Sequence, residues 1–244
     1  MMRVLVISDV HANLNAIEAV LAEAGPVDEI WSLGDLVGYG PDPNAVVELF
    51  RSLPDTTCLL GNHDVAVLGR MPFETFNGDA RRSLMWTEQV LTADNADYLR
   101  SLPQTSRVRG QATLVHGSPR DPLWEYVLNS LSARLNFDHF DTPLCFVGHS
   151  HIQCLFRLDE ATDRITLEVM REDRPVSLAP RLILNPGSVG QPRDRDPRAA
   201  YGIYDTAAST WTPHRARYDV TAVQERIRKA GLPEKHALRL AEGW

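Results

Sequence analysis

At 244 residues, with 43% apolar and 23% charged side chains, the chain has the length to bury one full core and the composition of an ordinary soluble globular protein. A formal net charge of −7 without any basic run disfavours nucleic-acid binding, so an anionic substrate would depend on metal ions or a few arginines. No stretch nears the roughly 18 apolar residues of a membrane helix, and the first apolar run breaks at Ser8-Asp9, too early for a secretory leader.

In chain order, Arg3 to Ser8 is an apolar, β-branched strand that runs into Asp9-Val10-His11. Asn13 caps a helix to Ala24, with Leu14, Ile17, Val20 and Leu21 at helical spacing and Gly25-Pro26 as its stop. Ile30 to Leu33 is a second strand, running into Gly34-Asp35. A second helix extends from Pro43, behind Asp42, to Leu53. A third strand, Thr57 to Leu60, runs into Gly61-Asn62-His63-Asp64. This βαβαβ order implies parallel pairing with right-handed crossovers. Residues 71–103 hold no strand; Ala80 to Leu91 is amphipathic behind Asn77-Gly78-Asp79, and another helix starts at Thr92-Ala93-Asp94. This small helical insertion is expected to cap the site.

Beyond it, Ser106 to Val108 and Ala112 to Val115 flank Arg109-Gly110 as a hairpin, and the second of them runs into His116-Gly117. Leu144 to Val147 runs into Gly148-His149-Ser150-His151. Gln153–Leu158, Arg164–Met170, Arg181–Asn185, Tyr201–Asp205 and Thr210–Arg217 read as mostly antiparallel strands. Helices from Thr221 to Ala230 and from Glu234 to Glu242 finish the chain. No linker divides it, so a single domain is expected over residues 1–244, an α/β sandwich of two sheets. Cys58, Cys145 and Cys154 lie in or beside strands without C-x-x-C spacing and read as reduced core residues of a cytoplasmic protein.

Five apolar strands thus end in metal-ligating side chains, and the carboxyl ends of strands are where open α/β sheets bind ligands. Asp9, His11, Asp35, Asn62, His116, His149 and His151 offer two carboxylates, one amide and four imidazoles, with no thiolate. That set suits Mn²⁺, Fe, Co²⁺, Ni²⁺ or Zn²⁺ rather than a structural zinc cage. Seven donors exceed what one ion with an open position takes. They suit two ions ~3.5–4 Å apart that share a carboxylate and clamp a phosphoryl group.

The ordered set Asp9-x-His11, Gly34-Asp35, Gly61-Asn62-His63-Asp64, His116-Gly117 and Gly148-His149-Ser150-His151 resembles the calcineurin-like metallophosphoesterase superfamily, in its small bacterial and archaeal branch. The resemblance spans residues 9–151, and the later strands suit the family's second sheet. It implies two divalent transition-metal ions, Mn²⁺ first among the candidates. Asp9, His11 and His151 would bind one, Asn62, His116 and His149 the other, with Asp35 as the bridge. His63 is then catalytic without being a ligand: it faces the scissile phosphate and protonates the leaving oxygen or stabilises its charge. Asp64 either orients His63 or caps a helix, and Asn62 taken alone is equally a turn residue.

The loop from Asn185 to Arg193 is either a constrained sheet-edge loop or one whose amides or Arg193 approach the substrate phosphate. The Arg193-Asp194-Arg195-Asp196 alternation and Arg81-Arg82 read as solvated faces. His139, His214 and His236 match no motif and read as surface or structural residues. Serine/threonine protein phosphatases of the superfamily extend the second motif to Gly-Asp-x-Val-Asp-Arg-Gly. Here Gly38 and Tyr39 replace the Asp and Arg, and Asp64 stands where those enzymes carry Glu, which argues against a dedicated protein phosphatase. Tyr39 either lines the pocket and stacks on a base or is a plain loop aromatic.

The resemblance implies a hydrolase in which hydroxide attacks the phosphorus of a small, nucleotide-like phosphodiester or phosphomonoester, the diester slightly favoured. Dinucleoside polyphosphate hydrolysis and protein dephosphorylation are the alternatives. A nuclease is disfavoured by the acidic surface, and a non-catalytic interaction scaffold by the presence of His63 and all seven donors. Selectivity is expected in residues 71–103, 118–140 and 186–198.

Overall fold

Alternation along the first strand sets the layers. In β1 (Arg3–Ile7), Val4 and Val6 face one way and Leu5 and Ile7 the other, and all four are fully buried. Both faces of this strand are therefore covered. The computed structural model describes residues 2–108, 111–179 and 181–244; the predicted hairpin turn at Arg109-Gly110 lies outside them. After β1 come α1 (Leu14–Ala24), β2 (Glu29–Ser32), α2 (Pro43–Ser52), β3 (Thr56–Cys58) and α3 (Asn62–Val67). The insertion holds a 3-10 turn (Phe73–Thr75), α4 (Gly78–Val90) and α5 (Ala93–Ser101). Next are β4 (Thr105–Val108), β5 (Ala112–Val115), α6 (Ser130–Phe137), β6 (Leu144–Phe146), β7 (Gln153–Asp159) and β8 (Arg164–Glu168). The chain continues through β9 (Val176–Ser177), β10 (Leu182–Pro186), β11 (Ala199–Asp205), β12 (Thr210–Ala216), α7 (Val220–Lys229) and α8 (Glu234–Glu242).

Among the described residues the strands form two six-stranded mixed sheets, β3-β2-β1-β11-β12-β9 and β4-β5-β6-β10-β7-β8. β1, β2 and β3 run parallel, as do β5, β6 and β10. The later strands do not all join the second sheet as expected. β11 pairs antiparallel with β1 and carries β12 and β9 into the first. The reason is burial: six consecutive residues of β11 are buried, a pattern that fits a central strand and not an edge.

Between the sheets, Val4, Val6, Trp31 and Leu33 meet Leu114, Phe146, Leu155 and Leu184, with Trp211 filling the same layer. Outside the first sheet, Leu5 and Ile7 pack on α1 and α2 through Ile17, Val20, Val46, Val47 and Phe50. Outside the second, Phe137 of α6 meets Cys145 and Phe156. The order is helix, sheet, sheet, helix. α6 escapes sequence prediction because its leucines point outward, Leu131 71% and Leu135 43% exposed, so it carries no apolar stripe. The insertion is only in small part a cap. Leu84 of α4 and Leu99 of α5 join the core around α2 and α3, and residues 75–77 alone of this stretch line the cavity described below.

α7 and α8 close on each other through Val223, Ile227, Ala237 and Leu240. Arg226 ties them to the sandwich, its guanidinium on both Asp42 oxygens at 3.0 and 2.9 Å and on Asn15 Oδ1 at 2.6 Å. His236, 1% exposed, donates from Nε2 to the Asp79 carbonyl at 3.1 Å. Burial pushes His236 down to about 4; the Asp79 carbonyl and carboxylate favour its proton, while Arg239 and Arg82 act with burial. In the unfolded chain a histidine keeps its proton up to about pH 6.5. This group's stabilisation is therefore complete above that pH and is lost as pH falls toward 4. In metal-free protein, His236→Gln should reduce the loss of stability between pH 7.5 and 4.5 by up to about 3 kcal/mol, read from urea midpoints. Equal losses in both proteins would locate the acid sensitivity elsewhere.

Candidate active site

The loops behind β1, β2, β3, β5 and β6 leave the carboxyl ends of parallel strands and converge there. Behind β1, β2 and β6 the backbone is strained: Asp9, His11, Ala12, Asp35, Tyr39, His149 and His151 all have φ between 48° and 62°. Non-glycine residues adopt this left-handed conformation rarely and tend to gather at functional sites. Loop-to-loop bonds hold it, among them Asp9 N–H to the Gly34 carbonyl at 3.0 Å, His11 N–H to the Asp35 carbonyl at 2.9 Å and His149 N–H to Asp9 Oδ2 at 3.0 Å.

The seven predicted donors come together in two groups. In the first, His151 Nε2 lies 3.2 Å from both Asp9 Oδ1 and His11 Nε2. In the second, His116 Nε2 lies 3.4 Å from Asp35 Oδ2 and 3.0 Å from Asn62 Oδ1, with His149 alongside. Asp35 Oδ2 is also 3.7 Å from His11 Nε2, so this carboxylate stands between the groups. His11, His116 and His151 each turn Nδ1 to a backbone carbonyl, of Val37 at 3.1 Å, Leu33 at 3.0 Å and Gln191 at 2.6 Å. Donation there leaves each Nε2 lone pair aimed at the cluster, the tautomer a metal ligand needs.

Burial pushes His11, His116, His149 and His151 down, His116 and His149 to about 4, so all four are neutral at pH 7. It pushes Asp35 well above the usual carboxylate range, and the Asp64 and Asp9 charges add to the effect. Among the described residues, Asp9 and Asp35 have only histidines at ion-pair distance, and Asp9 Oδ1 and His149 Nε2 are buried without a hydrogen-bond partner. Neutral nitrogens aimed at buried carboxylates are a poor arrangement unless cations lie among them. The donors fit two divalent ions that accept mixed oxygen and nitrogen ligands.

His63 sits in the first turn of α3, its backbone N–H on Asp35 Oδ1 at 2.9 Å. Its ring centre is 4.4 Å from that of Tyr39 and 5.0 Å from that of Phe76. The ring fits because residue 38 is glycine, with φ +90°: a Cβ there would run into His63 Nδ1. His63 also lies within ligating distance of His11 and Asp35, but its Nδ1 is buried without a partner, so no carbonyl fixes its tautomer. Of the two roles expected for Asp64, its hydrogen bonds are those of the cap. The carboxylate accepts from Gly61 N–H and Val37 N–H at 3.0 Å and Leu36 N–H at 3.3 Å. Burial pushes it up to about 6.

A cavity of about 180 Å³ opens over Asp35, Asn62 and His63. Each segment flagged for selectivity sends a side chain into its wall: Phe76, Trp124 and Arg193. The Phe76 and Trp124 ring centres are 5.0 Å apart, and Tyr126 stacks on His149 at 4.0 Å. These three aromatics belong to no motif, and the only sequence signal for them is their place in the flagged segments. Tyr39 lines the cavity with the Arg193 guanidinium 5.9 Å from its ring centre. The alternation beginning at Arg193 is not simply a solvated face, because Arg193 turns inward and Asp194 pairs with the buried Arg215. Arg81 and Arg82 are exposed, on Glu74 and Asp79. His139 is exposed and His214 meets Asp173 at 2.7 Å.

The family model of the calcineurin-like phosphoesterase superfamily domain matches residues 2–209. The chain belongs to that superfamily. This calcineurin-like phosphoesterase is 37% identical over 251 residues, 98% of each chain, to an uncharacterized protein of Methanocaldococcus jannaschii. It is 48% identical to a metallophosphoesterase of Sphaerobacter thermophilus whose crystal structure superposes with a TM-score of 0.91, covering 100% of this chain and 99% of that one. A symmetrical bis(5′-nucleosyl)-tetraphosphatase of Shewanella baltica is 32% identical over 101 residues, 40% of this chain and 36% of that protein. The phosphoesterase is thus a hydrolase of phosphate esters, with His and Asp clusters able to hold metal. Among its described residues no helix is long and apolar enough to cross a membrane.

Proposed function

We propose that this phosphoesterase is a binuclear metal-dependent hydrolase of small, nucleotide-like phosphate esters, slightly favouring diesters, built as one domain over residues 1–244. The observation that carries the reading is Asp35, standing between two groups of neutral imidazoles under an aromatic-walled cavity. Asp9, His11 and His151 would hold one ion, and Asn62, His116 and His149 the other, with Asp35 shared. Mn²⁺ is the first candidate, before Fe, Zn, Ni or Co. When bound, such ions supply Lewis acidity, offsetting charge on phosphoryl oxygens and making a nucleophile available at neutral pH.

The chain's own residues do the rest. His63, beside Asp35 in the cavity lining, donates a proton to the leaving oxygen or stabilises its developing charge. Asp64 is a positioning residue: it holds the first turn of α3 and residues 36–37, next to the Gly38 that makes room for the His63 ring. Arg193 meets a phosphoryl oxygen, and Phe76, Trp124 and Tyr39 offer ring surfaces to a planar group on the ester. The small cavity favours a small ester over a phosphoprotein or a duplex. Hydrolysis of dinucleoside polyphosphates is the second reading, favoured by the likeness over 101 residues to the tetraphosphatase. A cytoplasmic setting accords with three buried, free cysteines.

The test compares bis-p-nitrophenyl phosphate with p-nitrophenyl phosphate, using metal-stripped protein before and after addition of Mn²⁺. Turnover is expected to require the metal and to be faster on the diester. Faster turnover of the monoester would assign a phosphatase. Failure on both with each of the five candidate metals would overturn the reading.

A further inference from the structure

Two rings of the cavity wall, Trp124 and Tyr126, stand on either side of a carboxylate in the sequence. Both line the cavity, whereas Glu125 and Val127 turn to α6. Val127 joins Ala133 and Phe137 of that helix in the core, and Glu125 reaches its Asn136. Glu125 Oε2 accepts from Ser118 Oγ at 2.6 Å, Asn136 Nδ2 at 2.8 Å and Arg120 Nε at 3.3 Å. Its Oε1 accepts from Arg120 Nη2. Against its own burial, the bonds from Arg120, Ser118 and Asn136 hold the Glu125 carboxyl down to about 2. At neutral pH it therefore meets all four donors as a carboxylate.

This network has more to hold than a surface loop. Ser118 and Asn136 are fully buried, so removal of the carboxylate would leave two buried donors without their acceptor. The rings it carries are not part of the buried core, and their placement depends on the segment itself. Trp124 meets Phe76 of the insertion at 5.0 Å between ring centres. Tyr126 is 43% exposed and yet lies almost parallel to His149, at 12° and 4.0 Å. The base of the segment is closed as well, with Gly117 N–H on the Pro122 carbonyl at 2.7 Å and Ser118 N–H on that of Asp121 at 2.9 Å.

We propose that Glu125 is a positioning residue for ester recognition. By fastening the segment behind Trp124 and Tyr126 to α6, it holds the ring wall ready for an aromatic or heterocyclic group on the ester. It thus sets the affinity for that group without touching it. This rests on the reading of the cavity rings as surfaces for a planar group.

Methylphosphonate and phenylphosphonate share the anionic head and differ by a ring, and calorimetric titration of each into the Mn²⁺-loaded protein needs no turnover. Phenylphosphonate should bind the wild type at least about 10-fold more tightly, the effect of one ring contact with its buried area. Glu125→Ala should bring that ratio down to about 3-fold or less, while methylphosphonate affinity changes by less than about 2-fold. Glu125→Gln, which keeps the shape but turns an amide N–H₂ toward a donor, should be intermediate. Trp124→Ala should lower the ratio as Glu125→Ala does, and the double variant should lose little more, since residues acting through one another are not additive. Arg81→Gln, which alters an exposed cation paired with Glu74, should leave the ratio unchanged. A ratio that survives Glu125→Ala, or losses that add in full with Trp124→Ala, would overturn the proposal and leave Glu125 as a loop anchor. A wild-type ratio near one would overturn the ring contact beneath it as well. Neither result would touch the hydrolase reading, which fails only if both nitrophenyl esters resist every metal.

Discussion

Asp35→Ala is expected to lower turnover of bis-p-nitrophenyl phosphate by at least about 10³-fold, since several kcal/mol of transition-state stabilisation depend on the ions. The same variant should keep at most one Mn²⁺ per chain after dialysis, against two in the wild type. Asp35 Oδ2 is 3.4 Å from His116 Nε2 and 3.7 Å from His11 Nε2, so its loss takes an anionic donor from both groups at once. Its Oδ1 also holds the His63 N–H, so the first turn of α3 loses an anchor. Asp35→Asn separates these effects, because an amide oxygen can still accept from His63 while the charge is gone. Asp64 and Asp9 push the Asp35 carboxyl upward, so the Asn variant should also be the more stable protein without metal. Metal counting by mass spectrometry and urea midpoints read the two outcomes. An Asp35→Ala protein with two ions and more than a tenth of wild-type turnover would remove Asp35 from the shared position.

The convergence of donors was legible because each motif is local. Asp9 with His11, and His149 with His151, are two residues apart in one strained turn, so the strand that delivers the first delivers the second. Chain order also announced β1, β2 and β3 as parallel neighbours, since helices separate them. What stayed hidden depends on contacts between distant residues. β11 lies beside β1 because its buried face needs cover there, which no local pattern in residues 199–205 declares. Leu84 and Leu99 look alike whether α4 and α5 cover the site or pack beside it; only their place near α2 decides. Phe76 and Trp124 meet across 48 positions of chain, and Arg193 reaches the Tyr39 hydroxyl across 154. His236 read as surface or structural, and its buried bond to the Asp79 carbonyl selects the second.

His63→Ala separates acid catalysis from metal binding. Removal of a positioned proton donor costs about 10²–10⁴-fold in rate, but only where the leaving group needs the proton. p-Nitrophenolate departs readily without one, whereas the alkoxide of a ribosyl or alkyl ester does not. The variant should therefore lose about 10²-fold or more on AMP or a dialkyl ester and about 10-fold or less on the nitrophenyl esters. Both ions should remain, because the seven donors are untouched. The competing arrangement is already present in the geometry: His63, His11 and Asp35 lie close enough together to share an ion. Were His63 a ligand, the substitution would remove metal and depress all substrates alike, whatever their leaving group. The ring's place against Tyr39 and Phe76, in the cavity lining, favours the proton donor. Equal losses on all esters, together with a missing ion, would make His63 an eighth donor and move the leaving-group role to Arg193.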